Sequence, residues 1–336
     1  MELDLEQPWK INFIDECSEE DVYYCFRLLL GRVPGKPEWP GHKALVGSSL
    51  KSVVSMYLSS PEFKNRRLGV ASNTDQALVS LEGFEMYVSP SDLAVGRHIH
   101  AAGRYETHVT EAIKQRLGPG MVFIDIGANI GYFSLLAARL VGKEGRVVSF
   151  EPFQQNVQLL LASLKLNGFD NIEVYPFAVA DKNALWAYDN MGSNGVISEA
   201  AFDLSSLLLT TLVWSVTLDS LLRDIQRIDV IKIDVEGAEY LALSGGQRLL
   251  RKFRPTIFSE FSPPGLENVS KVSAEFYLHL LLIDEGYSIS VIDADGSLID
   301  YGKDIQKVIN YFEDTGSDHI DIVAAGFPTG DREINP

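Results

Sequence analysis

The chain has 336 residues, 46 % of them hydrophobic, and its 46 acidic against 29 basic side chains leave a formal net charge of −17. That length can bury one large core and a smaller one, while the charge excludes a nucleic-acid substrate, whose phosphates need Lys and Arg; Lys64-Asn-Arg-Arg67 is too short for a basic stripe. No apolar run reaches membrane-spanning length unbroken, the acidic opening Met1–Glu6 is unlike a secretory signal, and Cys17 and Cys25 lack zinc-ligand spacing, so a cytoplasmic enzyme with core thiols is expected.

Residues 18–30 open with a capping-type acidic turn and continue with helical apolar spacing, and Cys17 and Cys25, about two turns apart, are expected on this one helix. A Gly/Pro loop over 31–41 leads to a second helical pattern over 48–58, closed by Ser59-Ser-Pro-Glu-Phe63. Arg27-Leu-Leu-Leu-Gly-Arg-x-Pro34 together with Ser60-Pro-Glu-Phe63 resembles a small bacterial helical domain of unknown function, related in pattern to phycobilisome linker segments. Over residues 10–68 that resemblance implies docking to a protein partner or a homo-oligomer, not chemistry; equally, these helices would merely pack on the rest of the chain. The domain reading is therefore 1–68 as a small helical domain, 69–95 as linker and lead-in strand, 96–327 as the main domain and 328–336 as a tail. Within the linker, Val70–Asp75 is the expected flexible point and Phe84–Val88 a short strand. His98, His100 and His108 follow, offering either a general base near neutral pH or ordinary packed histidines, with His98 the one assigned to the acceptor.

The run Val122–Ser134 is a buried-strand pattern ending in Asp125-x-Gly127, a turn through Ala128-Asn129-x-Gly131, and the start of a helix. A second apolar run, Val147–Pro152, ends in Glu151, which is placed to accept hydrogen bonds from both hydroxyls of a ribose. This is a nucleoside-binding βαβ unit. A dinucleotide would want a second glycine where Asn129 stands, to approach a pyrophosphate. S-adenosylmethionine has no phosphate and needs only the close approach at Gly127, so it is the favoured cofactor.

A third strand pattern covers Ile172–Ala180 and ends at Asp181, followed by an insertion in which 184–188 and 214–218 alternate like edge strands. The polar loop between them, Asp189–Gly195, offers Met191, Ser193 and Asn194 as acceptor contacts or reads simply as an Asn-Gly hairpin turn. Ile228–Glu239 is another buried strand, ending in Asp234, Glu236 and Gly237. Ligands in open α/β sheets bind at such carboxyl ends, although first-turn charge at a helix start would also account for Glu236 and Glu239. Thr256–Phe261 brings Glu260 to the same edge.

Phe123–Phe133, Phe150-Glu-Pro152, Phe177–Ala180, Val216–Asp219 and Lys232–Glu239 occur in the order of the FkbM family of S-adenosylmethionine-dependent methyltransferases, which the chain resembles over residues 80–327. The resemblance implies a class I methyltransferase fold: α/β, Rossmann-like, with a seven-stranded sheet whose final pair, Ser288–Asp293 and His319–Gly326, is antiparallel. It implies O-methylation of a hydroxyl on a sugar, glycan or secondary metabolite. Asp125, Gly127, Ala128, Asn129, Gly131, Glu151 and Pro152 become the cofactor shell. Asp181 becomes the acid that meets the adenine amino group, unless Asp181-Lys-Asn183 is an ordinary turn, and Tyr105 and Glu106 become pocket residues, although Tyr105 would serve equally as packing. For the base that takes the hydroxyl proton the order is Glu236, Asp234, Glu260; the three could instead hold a divalent cation, but no ligand spacing is diagnostic, and a metal-free site is preferred. An N-methyltransferase would carry an Asn/Asp-Pro-Pro-Tyr motif where Ile233–Gly237 stands, and a non-catalytic cofactor-binding protein would tolerate a degraded loop.

Overall fold

The computed structural model describes residues 16–66, 75–199 and 210–326. The acidic opening, residues 10–15, the expected hinge at 70–74 and the tail 328–336 lie outside the described residues, as do the side chains of 64–67 and Met191. The chain divides into two compact units, 1–75 and 76–336.

In the first unit the helix Glu19–Tyr24 starts at a reciprocal capping box, Ser18 with Asp21, and runs on as a π turn over Cys25–Leu29. Cys17 therefore precedes the helix, against the expectation that both cysteines share it. They are buried free thiols among Val22, Phe26, Leu30, Val53 and Tyr57, the last two from the helix Leu50–Ser59. Arg32 reaches Glu38 at 2.6 Å and Glu62 Oε2 at 2.8 Å. The two halves of the sequence pattern over 27–34 and 60–63 thus meet in one charge-assisted fork.

The second unit begins with the hairpin β1 (Ala77–Leu81) and β2 (Phe84–Val88). The lead-in strand is not part of a free linker: Glu85 N donates to Asn167 Oδ1 and Tyr87 N to Ser163 Oγ, both on the helix Gln154–Asn167. Then come β3 (Val122–Ile126), β4 (Arg146–Phe150) and β5 (Ile172–Tyr175), parallel and adjacent. The expected strand over 172–180 breaks at Pro176, which has no N–H for a ladder. Its remainder, β6 (Ala178–Val179), joins β7 (Leu185–Met191), β8 (Asn194–Glu199) and β9 (Thr211–Val216) in a separate sheet ordered β6-β9-β7-β8.

β10 (Val230–Ile233), β11 (Thr256–Phe261), β12 (Tyr287–Ile292), β13 (Leu298–Gly302) and β14 (Ile320–Gly326) complete the large sheet, ordered β13-β12-β14-β11-β10-β3-β4-β5. β14 inserts antiparallel between β11 and β12, the ending expected of a class I methyltransferase. The sheet has eight strands, not seven, because 298–302 folds back antiparallel on β12. Strand order reverses at β3, whose neighbours are β4 and β10. A crevice opens at the carboxyl ends of these strands.

Candidate active site

The turn after β3 owes its shape to three left-handed residues, Gly127 (φ +83°), Asn129 (φ +51°) and Gly131 (φ +97°). A Cβ on Gly127 would collide with the Asp234 carbonyl, and one on Gly131 with Leu160. Asn129 N donates to Glu151 Oε2 at 2.8 Å, while Oε1 accepts from Phe153 N at 2.8 Å and Asn156 Nδ2 at 3.3 Å. Burial pushes the Glu151 carboxyl up to about 7 against these donors. Behind the turn, Asp125 is 1 % exposed and accepts from Ser134 Oγ at 2.6 Å. Its second oxygen has no partner among the described residues.

Asp125 lies in register with Lys232 of the adjacent β10, so their side chains share one sheet face. Lys232 Nζ binds Asp234 Oδ2 at 2.8 Å and sits 4.5 Å from the Phe133 ring centroid. Burial opposes its charge, but Asp234, Glu106 and Asp125 outweigh burial and hold the ammonium above the usual lysine range. In return Asp234, raised by burial, is pulled below its ordinary value by Lys232. Burial and the carboxylates of Asp234, Glu239 and Glu236 push Glu260 up to about 11, and it hydrogen-bonds Asp234. Burial pushes Glu106 up to about 7, opposed by Lys232. Glu236 is raised by burial and by Asp234. Glu239 is fully buried and takes no part in the wall: its Oε1 accepts from Val235 N and Gly237 N, fastening the turn that presents Glu236.

Glu106, Glu151, Lys232, Asp234, Glu236 and Glu260 help to wall a cavity of about 310 Å³ at the crevice. The methyltransferase FkbM domain matches residues 125–314, more than half the chain, from the end of β3 to just before β14. The chain belongs to the FkbM methyltransferase family. Among curated proteins it is similar to a protein-L-isoaspartate O-methyltransferase of Triticum aestivum, 37 % identical over 83 residues, covering 24 % of this chain and 36 % of that one. It is also similar to protein-L-isoaspartate O-methyltransferase 2 of Archaeoglobus fulgidus, 33 % identical over 87 residues, covering 26 % and 34 %. The chain thus spans about a third of the length of these curated relatives. Among solved structures it is similar to the methyltransferase FkbM of Methylobacillus flagellatus KT, with 15 % identity, 90 % of this chain, 58 % of that one and TM-score 0.39. Precorrin-6y C5,15-methyltransferase of Geobacter metallireducens GS-15 is similar at 13 % identity, 72 % of this chain, 94 % of that one and TM-score 0.39.

S-adenosylmethionine is the cofactor of this methyltransferase, and its site residues fit that molecule. Glu151 Oε2 accepts only from Asn129 N and keeps a lone pair for a ribose hydroxyl, while Oε1 already accepts from Phe153 N and Asn156 Nδ2. Gly127 lets the turn pass against the Asp234 carbonyl where a Cβ would collide, and Phe150, Ala178, Val179, Tyr188 and Ile197 give the cavity an apolar stretch of wall that an adenine ring would suit.

Of the residues singled out in the sequence, Tyr105, Glu106, Gly127, Ala128, Asn129, Glu151, Pro152, Ser193, Asn194, Asp234, Glu236 and Glu260 line the cavity of the FkbM methyltransferase. Asp125 and Gly131 shape the turn from behind without reaching the wall. Asp181 does not reach it either: Pro176 ends the strand early, β6 turns into the second sheet, and Asp181 is left exposed. His98 is also a correction, since Ile99 takes the buried side of the helix Gly96–Ala102 and leaves His98 and His100 exposed. His108 is held by Asp321 at 2.7 Å, off the wall. The loop over 189–195 is a hairpin, with its turn at Gly192-Ser193 rather than Asn194-Gly195. That turn is fixed by Asp92, which accepts from Ser193 N at 3.0 Å.

Sequence reading missed Lys232, Asp92 and His319, all of which the fold brings in. Lys232 carried a signal: a lysine inside a buried strand needs a carboxylate partner. His319 lines the cavity from the residue just before β14, and nothing in its local sequence sets it apart.

Proposed function

We propose that this methyltransferase methylates a hydroxyl oxygen of a small neutral acceptor, a sugar or secondary metabolite, with Glu236 taking the proton. S-adenosylmethionine supplies the methyl group as an electrophilic carbon on a sulfonium. The protein's part is to place the acceptor, exclude water and accept the hydroxyl proton. Glu236 carries the reading: it stands on the cavity wall in a left-handed backbone (φ +55°), aimed by that conformation, and is spared the commitments of its neighbours. Asp234 is committed to Lys232, Glu260 keeps its own proton at neutral pH, and Glu106 is hydrogen-bonded by Tyr105. The acidic wall of Asp234, Glu236 and Asp318 disfavours the anionic acceptor that the curated relatives' name implies for them.

The test is a panel of neutral glycosides and alcohols beside carboxylated and phosphorylated analogues, read by mass spectrometry for one added methyl. Neutral hydroxyl compounds are expected to be methylated, and Glu236→Gln to lose about two orders of magnitude in kcat while binding S-adenosylhomocysteine as the parent does. Turnover by Glu236→Gln at the parent rate, or methylation confined to carboxylates, overturns the assignment.

A metal-free reaction is part of the same reading, because the positive charge among these carboxylates is already provided by Lys232. Turnover is expected to persist in excess chelator. Loss of activity restored by Mg²⁺ would reverse that expectation. A cytoplasmic location is supported by the two free buried thiols, which suit a reducing compartment.

A further inference from the structure

The tip of the β7–β8 hairpin joins two parts of the site that the chain supplies from distant places. Asn129, in the cofactor turn, donates from Nδ2 to Asn194 Oδ1 at 2.9 Å, and its backbone N–H binds Glu151. Asn194 in turn donates from Nδ2 to Glu236 Oε1 at 2.6 Å. Asn129 and Glu236, the two partners of Asn194, are both in the left-handed region, which asparagine enters readily but glutamate holds only when its surroundings impose it. The carbonyl of Ser193 accepts from Asn129 Nδ2 and Asn156 Nδ2, so the tip is clamped between them.

We propose that Asn194 is a positioning residue, the middle link of a hydrogen-bonded chain Glu151–Asn129–Asn194–Glu236 through which the ribose-binding carboxylate and the acceptor base are held in one arrangement. The inference rests on Glu236 being the base. Asn194 has one carboxamide, and both of its ends are used, the oxygen toward the cofactor turn and the nitrogen toward the base. Its donor favours the ionised form of Glu236. The groups that face Glu236 are otherwise divided. Asp234 and Asp318 oppose its charge, Lys232 and His319 support it, Glu260 faces it as a neutral carboxyl, and the Tyr105 and Tyr188 hydroxyls stand within its field. In this balance the Asn194 hydrogen bond is the neutral contribution that a substitution can remove without adding or deleting a charge.

The test compares wild type, Asn194→Ala and Asn194→Asp in two measurements: calorimetric titration with S-adenosylhomocysteine, and the pH dependence of kcat. Asn194→Ala is expected to bind S-adenosylhomocysteine within about fivefold of wild type, since it removes one neutral hydrogen bond next to the ribose site. Its kcat falls about tenfold and the acidic limb of the profile moves up by about one pH unit, because the base has lost a donor to its charged form. Asn194→Asp moves that limb further up by placing a like charge beside the base. Equal losses with an unmoved limb would mean that Asn194 only shapes the hairpin, and would overturn the proposal. Glu236→Gln separates the two readings: if the acidic limb survives in that variant, the base assignment fails, whatever Asn194 does. Where the alanine variant does not bind S-adenosylhomocysteine at all, Asn194→Ser repeats the test with a small polar residue too short to reach both partners.

Discussion

At the residue scale, the site concentrates carboxyl groups whose proton affinity burial raises well above the usual carboxylate range. Glu106, Glu151 and Glu239 are each pushed up to about 7, and Glu260 to about 11. Such a group keeps its proton in the folded chain where the unfolded chain has lost it, so the folded state binds more protons and stability falls as pH rises from about 4.3 through 7. Asp234 and Asp92, whose values are lowered, act in the opposite sense, but their stabilisation is lost only as pH falls below about 4. The protein without cofactor is therefore expected to melt several degrees higher at pH 5 than at pH 8. Glu239→Gln, whose second oxygen has no partner to lose, should flatten that slope in differential scanning calorimetry at a series of pH values. An unchanged slope would mean that the penalty resides in the other carboxyls. The residues legible in the sequence were those whose spacing reports a backbone need, Gly127 and Gly131 for the turn and Glu151 at a strand tip. Lys232 and His319 were not picked out because their role is a cross-strand or cross-loop meeting, which spacing along one segment does not encode.

At the element scale, the parallel strands read clearly because each is a short apolar run buried on both faces, as in Val122–Ile126 with all but its first residue buried. The second sheet was read less well. Pro176 diverts the chain after β5, and that diversion leaves Asp181 off the cavity wall. β13, at the edge of the large sheet with no fully buried residue, lacked the apolar signal that marked its neighbours. The hairpin tip depends on Asp92, which gathers the N–H groups of Ala94, Val95, Gly96 and Ser193 at 2.7–3.3 Å. One carboxylate thus fixes both the start of the helix Gly96–Ala102 and the tip that carries Asn194. Asp92→Ala leaves four donors without it, and a loss of about 2–4 kcal/mol is expected in urea denaturation. A greater loss of kcat than of S-adenosylhomocysteine affinity is expected as well, since the tip would be freed while Glu151 stays in place. A stability change below about 0.5 kcal/mol would show that the tip is held by Asn129 and Asn156 alone.

At the scale of the whole molecule, the two units each have a core built from their own residues. Phe26, Val53 and Tyr57 centre the first, while the second is organised on both faces of the eight-stranded sheet. Among the described residues every one lining the cavity falls after residue 75, and so does the whole FkbM match. No helix among the described residues is long and apolar enough to cross a membrane. The sequence resemblance over 10–68 implied docking, and Tyr24 and Leu28, four apart on the first helical run and exposed (Leu28 at 71 %), supply an apolar face of the kind a partner or second copy would cover. A chain starting at Gln76 is accordingly expected to fold and to bind S-adenosylhomocysteine within about threefold of the full protein, because no wall residue and no core residue of that unit is removed. If the first unit mediates association, the full protein should show a concentration-dependent rise in mass by light scattering that the shortened chain lacks and that Leu28→Asp weakens. Loss of cofactor binding on truncation would instead give residues before 76 a part in completing the methyl-transfer site.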